Sequence, residues 1–235
     1  FGLGFPKGVL LLGVPGCGKS LCAKAVAHEW GLPLLRLDPS NLYDKYVGES
    51  EHNFKRAMLT AERLAPIVLW IDELEKAFAS ASADADGGVS HRIFGTFLSW
   101  LQERKGDVFV VATSNDVAKL PPEFIRKGRF DEIFFVDLPG EAAREEILRI
   151  HLRKRKQDPA AMAMPQLVAE TAGFSGAELE ESIVSAMYAA FSAGTALTTE
   201  TLLAEIGATR PLSKTMPERL DALRRWAAPR TVAAD

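Results

Sequence analysis

The chain has 235 residues, 47% of them hydrophobic and 25% charged, with a formal net charge of −3; this is an ordinary globular balance, enough for one large domain or a large and a small one. Such a charge gives no electrostatic reason to propose nucleic acid as a partner, no apolar run approaches the about 18 residues of a membrane span, and no secretory signal is visible. The chain opens at Phe1 and not at a methionine, as expected of a fragment whose targeting information could be missing.

In chain order, the first apolar run, at 9–12, has the character of a strand. It leads into Gly13-Val14-Pro15-Gly16-Cys17-Gly18-Lys19-Ser20 and the helix-like segment Leu21–Ala27, part of a helical stretch at about 19–30. Strand, glycine-rich turn and helix form the context that the G-x-x-x-x-G-K-[S/T] pattern requires. The glycines let backbone N–H groups curl around a phosphate, and the helix N-terminus adds partial positive charge. Lys19 would reach the β/γ-phosphates and the Ser20 hydroxyl would hold Mg²⁺. The pattern therefore predicts a nucleoside triphosphate site built on Gly13, Pro15, Gly16, Cys17, Gly18, Lys19, Ser20 and Leu21. Cys17 and Cys22 match neither a zinc nor a redox spacing, and Cys17 reads as a small residue that fits the loop more readily than as a redox switch. His28-Glu29 starts an H-E-x-x-H pattern that fails at Leu32, so no zinc protease site is encoded there.

Strands are expected next at 34–37, 67–71, 108–112 and 133–136, alternating with helices at 50–64, 90–104 and 122–127. The run at 67–71 ends in Asp72-Glu73. In a phosphate-loop protein the first carboxylate coordinates Mg²⁺, directly or through water, and the second accepts a proton from the attacking water; the plainer alternative is a helix N-cap. Residues 79–88 are small, acidic and glycine-containing, the composition of a mobile loop. After 108–112 comes a polar cluster in which Asn115 could hold the water or the γ-phosphate, or simply form a turn. Arg126 and Arg129 follow Pro121-Pro122. They could be a surface pair, or arginine fingers reaching a neighbouring subunit's nucleotide, a device worth about 10³–10⁵ in rate. Spacing alone leaves both open.

The near-continuous apolar middle runs suit parallel strands covered on both faces. The alternation predicts a doubly wound α/β sheet with its ligand at the carboxyl ends of the strands. After Leu138-Pro139-Gly140 the strand signal fades, and helical patterns at 141–156, 163–171, 175–193 and 217–228 predict a small helical domain. The expected division is 1–138 and 139–235. In the first of these helices Glu141, Glu145 and Glu146 come early and Arg153, Lys154, Arg155 and Lys156 late, as the helix dipole favours; with Arg149 these bases read as a solvated face, or otherwise a partner surface. There is no internal repeat.

The combined order resembles the AAA family of the AAA+ ATPases across essentially the whole chain: Walker A at 13–20, Walker B at 67–73, sensor 1 at Asn115 and the pair Arg126 and Arg129. Gly173-Phe174-Ser175-Gly176-Ala177-Glu178-Leu179 is similar to the family's second-sensor region, where Gly176 and Ala177 would pack against the nucleotide in place of a sensor arginine. The resemblance implies a five-stranded parallel sheet of order 5-1-4-3-2, a helical lid from about 139, and a ring, usually a hexamer, with nucleotide between subunits; it favours the finger role. Tyr46-Val47-Gly48-Glu49-Ser50 resembles pore loop 1, whose tip, Tyr46, Val47 and Gly48, would grip an unfolded polypeptide; without the family, Tyr43 and Tyr46 could equally pack against the sheet edge. Asp86-Gly87-Gly88 falls where the second pore loop lies.

A closer similarity is to the AAA ATPases encoded by a conserved open reading frame in cyanobacteria and some plastids, carried by Gly2-Leu3-Gly4-Phe5-Pro6-Lys7-Gly8, Leu34-Leu35-Arg36-Leu37-Asp38, the stretch from Pro122 to Phe135, Pro211-Leu212-Ser213-Lys214-Thr215-Met216 and Trp226-Ala227. The phosphate loop has Val14, Cys17 and Ser20 where the family usually has proline, threonine and threonine, and both versions keep the needed atoms. The family's usual isoleucine-glycine segment over the adenine would precede Phe1, so adenine recognition rests on Gly4, Phe5, Gly176 and Ala177 or on residues before this chain. The expected function is a Mg²⁺-dependent ATP-hydrolysing motor, an oligomeric ring that remodels or threads a protein client, in the cytoplasm or a plastid stroma. The alternative is an ATP-dependent binding switch with slow turnover, against which Glu73 argues. A small-molecule kinase would need an acceptor site and a lid arginine, and DNA remodelling would need a basic face.

Overall fold

The computed structural model describes residues 4–38, 49–78, 89–104, 106–126 and 128–234. In chain order the elements are β1 (Gly8–Gly13), α1 (Lys19–Glu29), β2 (Leu34–Leu37), α2 (Glu49–Arg63), β3 (Ile67–Ile71), α3 (Leu74–Phe78), α4 (Val89–Glu103), β4 (Val108–Ser114), β5 (Glu132–Val136), α5 (Glu141–Lys154), α6 (Met164–Glu170), α7 (Gly176–Ala193), α8 (Thr199–Ala208), α9 (Leu212–Thr215), α10 (Pro217–Ala227) and β6 (Val232–Ala233). They divide into two compact units. One holds all six strands and the helices between β1 and β5; the other joins Val14–Gly18 to Asp137–Trp226.

In the first unit the strands pair in parallel in the order β2-β3-β4-β1-β5-β6. This is the expected 5-1-4-3-2 order read from the opposite edge, with one strand more: Val232–Ala233 adds β6 outside β5. Two exposed residues at an edge carry no apolar run, so no pattern announces them. Every residue of β3 and β4 is buried, which is why these runs are apolar throughout instead of alternating. On one face Ala23 and Ala27 of α1 pack with Leu11, Val68, Trp70, Phe109 and Val111; the two alanines let the helix lie close. Elsewhere in the same unit Phe97 meets Phe54 and Phe124 at centroid distances of 5.5 and 5.8 Å. Each such fully buried apolar side chain contributes about 1.5–3 kcal/mol.

The expected helix at 122–127 is instead one 3₁₀ turn over Pro122–Ile125, left through Arg126 in an extended conformation with ψ 135°. Pro122, which lacks a donor, starts that turn well but helps no longer helix.

In the second unit Leu148, Leu152, Leu167, Val168, Phe174, Leu179, Ile183, Leu202 and Ile206 form the core of α5 to α8. Helix α7 begins at a capping box: Glu178 Oε2 accepts the Ser175 N–H at 2.7 Å, and the Ser175 side chain accepts from Glu178 N–H. The other oxygen of Glu178 accepts the Leu212 N–H at 2.7 Å, so one carboxyl anchors two helix starts. The basic stretch of α5 is only partly a solvated face. Arg155, His151 and Lys154 gather on Glu180 of α7 at 2.7, 3.2 and 3.8 Å. The hydrogen bond from Arg155 holds the Glu180 carboxyl below its ordinary range, and burial holds the His151 imidazole below its own.

Candidate nucleotide site

Gly13 closes β1 at φ +148°, and a Cβ there would lie 2.0 Å from the carbonyl oxygen of Val136 on the neighbouring strand. Only glycine lets the chain leave the sheet at that point. Gly16 has φ +77°. Its carbonyl accepts the Ala177 N–H from the first turn of α7 at 2.9 Å. Lys19, the first residue of α1, is 6% exposed, and its Nζ donates to the Gly13 carbonyl at 2.9 Å. The ammonium is thus stretched back along the loop that it follows.

At the ends of β3 and β4 the polar side chains form a continuous chain of bonds. The Ser20 hydroxyl donates to Asp72 Oδ1 at 3.1 Å, and the Thr113 hydroxyl donates to the same oxygen at 2.7 Å. Arg36 from β2 reaches Asp72 Oδ2 at 3.4 Å while lying over the Trp70 ring, 4.7 Å from its centroid. Glu73 is in the left-handed region at φ +52°. Its N–H donates to the Thr113 hydroxyl at 3.0 Å, its Oε1 accepts from Asn115 Nδ2 at 3.4 Å, and its Oε2 pairs with Lys76 at 2.5 Å. That contact raises the Lys76 amine above its ordinary range. Asn115 is itself held by its backbone, whose N–H donates to Glu75 Oε1 at 3.0 Å.

The structure therefore brings Lys19 close to the Gly13 carbonyl and joins Ser20, Asp72, Glu73 and Asn115 through bonded neighbours. Thr113, Arg36 and Glu75 complete the cluster and were not singled out by pattern. Strand register sets Thr113 beside Asp72 and Arg36 beside Trp70, two residues before that acid, information that no local spacing carries. Glu75 had a signal, a third acid after Asp72 and Glu73, at the second position of α3. No group of three or more metal-binding side chains lies together among the described residues. One carboxylate and one hydroxyl 3.1 Å apart are nevertheless an oxygen set suited to Mg²⁺, which takes one or two carboxylates and completes its shell with phosphates and water.

Other expected residues stand apart from this cluster. Arg126 is exposed; Arg129 is half-buried and donates to the Leu98 carbonyl on α4. No hydrogen bond or ion pair joins either to Asp72, Glu73 or Asn115 among the described residues. Pro15 is exposed, Leu21 is 63% exposed, and the Cys17 thiol faces the Pro15 carbonyl at 3.9 Å. Tyr46, Val47 and Gly48 lie outside the described residues, as do 79–88 with Asp86, Gly87 and Gly88.

Glu75 is 6% exposed and its Oε2 has no hydrogen-bond partner among the described residues. A buried oxygen without a donor is destabilising. Glu75→Gln keeps an acceptor for the Asn115 N–H and puts a neutral amide nitrogen in place of the unpartnered oxygen; burying an amide costs less than burying a carboxylate, so the variant should melt roughly 2–4 °C higher. Calorimetric scans of the two proteins check this; a lower melting temperature would mean that the acid is satisfied in solution.

A parallel sheet whose first strand turns through glycines into a helix, with a buried lysine and a hydroxyl–carboxylate pair at adjacent strand ends, defines the class of phosphate-loop nucleoside triphosphatases. The sequence profile of the ATPase family associated with various cellular activities (AAA) matches residues 9–138, and the chain belongs to that family. It is 46% identical over 228 residues to the protein named "Uncharacterized AAA domain-containing protein ycf46" of Guillardia theta, covering 97% of this chain and 45% of that protein. Similarity to the protein of the same name from Pyropia yezoensis is equal in identity and covers 46% of it. The proteasome-activating nucleotidase of Aeropyrum pernix is 38% identical over 203 residues, 84% of this chain and 49% of that protein. The chain thus spans about half the length of the curated relatives it matches. No helix among the described residues is long and apolar enough to cross a membrane.

Proposed function

We propose that the chain binds MgATP and hydrolyses it as one subunit of a ring that works on a protein client.

 The observation that carries this reading is the pair Glu73–Asn115, joined at 3.4 Å and set one residue beyond Asp72, which itself touches Ser20. Lys19 exchanges its Gly13 carbonyl for the β/γ-phosphates, while backbone N–H groups of Gly16, Cys17 and Gly18 face the phosphates and Pro15 and Leu21 flank them. Ser20 and Asp72 hold Mg²⁺, which when bound neutralises charge on the phosphate oxygens. Glu73 accepts the proton of the attacking water, and Asn115 keeps Glu73 and that water in place. Gly176 and Ala177 lie against the nucleotide. Arg126, exposed and without a side-chain hydrogen bond among the described residues, reaches a neighbouring subunit's γ-phosphate, with Arg129 supporting it. Residues 1–138 form the nucleotide-binding domain, and 139–235 the helical lid with a C-terminal extension.

The similarity to proteasome-activating nucleotidases supports a hexameric ring and a protein client gripped by Tyr46, Val47 and Gly48. The relatives from Guillardia theta and Pyropia yezoensis support the plastid stroma, with the cytoplasm as the other compartment. ATP turnover per subunit, measured over a wide range of protein concentration, tests the ring. It should climb with concentration, and Arg126→Ala should abolish the climb, a loss of about 10³-fold or more at the plateau if the finger acts in trans. Turnover per subunit that stays constant on dilution, with Arg126→Ala unchanged, would rule out fingers acting between subunits.

A further inference from the structure

We infer that Thr113 is a positioning residue of the hydrolytic site, a single hydroxyl that orients both acids of the Asp72-Glu73 pair. The inference rests on the reading of Glu73 as the group that accepts the proton of the attacking water.

Thr113 sits near the end of β4 and is 2% exposed. Strand register pairs Ile71 with Ala112, which places the next residues, Asp72 and Thr113, side by side at the carboxyl edge of the sheet. The hydroxyl donates to Asp72 Oδ1 at 2.7 Å and accepts the Glu73 N–H at 3.0 Å. A hydroxyl has one hydrogen to give. Directing it at Asp72 commits a lone pair to Glu73, so the two acids are set by one rotor.

The bond to Glu73 matters because of the backbone there. At φ +52° glutamate occupies a region that non-glycine residues enter at a cost and keep only where the surroundings over-determine it. The Lys76 N–H holds the Glu73 carbonyl at 2.8 Å, and Lys76 and Asn115 hold its carboxyl group. Among the described residues Thr113 alone accepts the N–H that fixes where the side chain leaves the strand end. Nothing in the packing demands a hydroxyl at this position, because β4 is apolar from Val108 to Ala112 and valine has nearly the same shape. A displacement of about 1 Å at a reacting group can reduce rate on the order of 10²-fold.

The test compares Thr113→Val, Thr113→Ser, Glu73→Gln and the double variant Thr113→Val/Glu73→Gln in the intact protein. Steady-state ATP hydrolysis gives kcat and KM, and a fluorescent non-hydrolysable ATP analogue gives Kd. Thr113→Val should lower kcat about 10- to 100-fold, the equivalent of one lost hydrogen bond to a charged group, with Kd changed less than about threefold. Thr113→Ser should restore most of kcat. Adding Thr113→Val to Glu73→Gln should cost clearly less than it costs in the parent, because much of the threonine's effect runs through the glutamate and only its bond to Asp72 is then left to lose. Should the valine variant not fold, Thr113→Ala takes its place in both arms. Unchanged kcat, equal losses in kcat and affinity, failure of serine to rescue, or an undiminished further loss in the double variant would each overturn the inference. Retained turnover in Glu73→Gln alone is a different result, and it removes the reading of Glu73 itself.

Discussion

Glu73→Gln should cut ATP turnover by about 10²–10⁴-fold, the contribution typical of a positioned general base, and leave ATP affinity nearly unchanged. The substitution is close to isosteric. Its side-chain oxygen still accepts from Asn115 Nδ2, and its backbone N–H still meets the Thr113 hydroxyl. The ion pair with Lys76 is lost, but the Lys76 side chain is 59% exposed, and exposed pairs contribute little. What the amide cannot do is take a proton from water. Phosphate release measured beside the Kd of a fluorescent nucleotide separates these effects. Turnover within a few-fold of the parent would show that another group accepts the proton, and weakened binding with proportionate turnover would place Glu73 in nucleotide binding instead.

Gly16→Val should weaken ATP binding by at least about 10²-fold and lower the melting temperature by about 4–10 °C, as expected of roughly 2–3 kcal/mol of strain in a chain of this size. Two independent faults combine. A β-branched residue at φ +77° is an outlier of the backbone itself. Its Cβ would also lie 2.9 Å from Ala177 Cβ and 3.1 Å from Ser175 Oγ, so the loop would have to leave the contact by which its carbonyl accepts the Ala177 N–H. Isothermal titration with ATP and a thermal scan read the two effects separately. Parental affinity would mean that the loop grips phosphate without this turn. Gly16→Ala should fall between, since it shares the backbone strain but not the branched side chain.

The architecture was largely legible because it rests on long apolar runs. The strands expected at 34–37 and 67–71 coincide with β2 and β3, and the order of β1 to β5 follows from the family resemblance. Elements that lack such runs were missed. Helix α8 begins at a threonine cap and continues Thr199-Glu200-Thr201, a composition that suits a turn as well as a first helical turn. Helix α3 has only five residues directly after the two acids. At the site, glycines, lysine, serine and the acid pair stand in one contiguous spacing or at a strand end, and so were visible. Arg36, Thr113 and the far oxygen of Glu75 enter through strand pairing and burial, which depend on residues dozens of positions away. For Arg129 spacing left two roles open and the family resemblance favoured the finger; its guanidinium donates to the Leu98 carbonyl, a contact no spacing announces.

The hydrogen bond from Ala177 to Gly16 also has a mechanical side. Helix α7 has 18 residues, so at 1.5 Å per residue it is a rod of about 27 Å whose near end is fastened to the tip of the phosphate loop. Its rigidity makes it a lever: a tilt of about 2° at the fastened end sweeps the other end through roughly 1 Å. Were α7 to tilt about its fastened end, Tyr188 and Phe191, 71% and 85% exposed toward the other, would travel farther than its residues nearer Gly16.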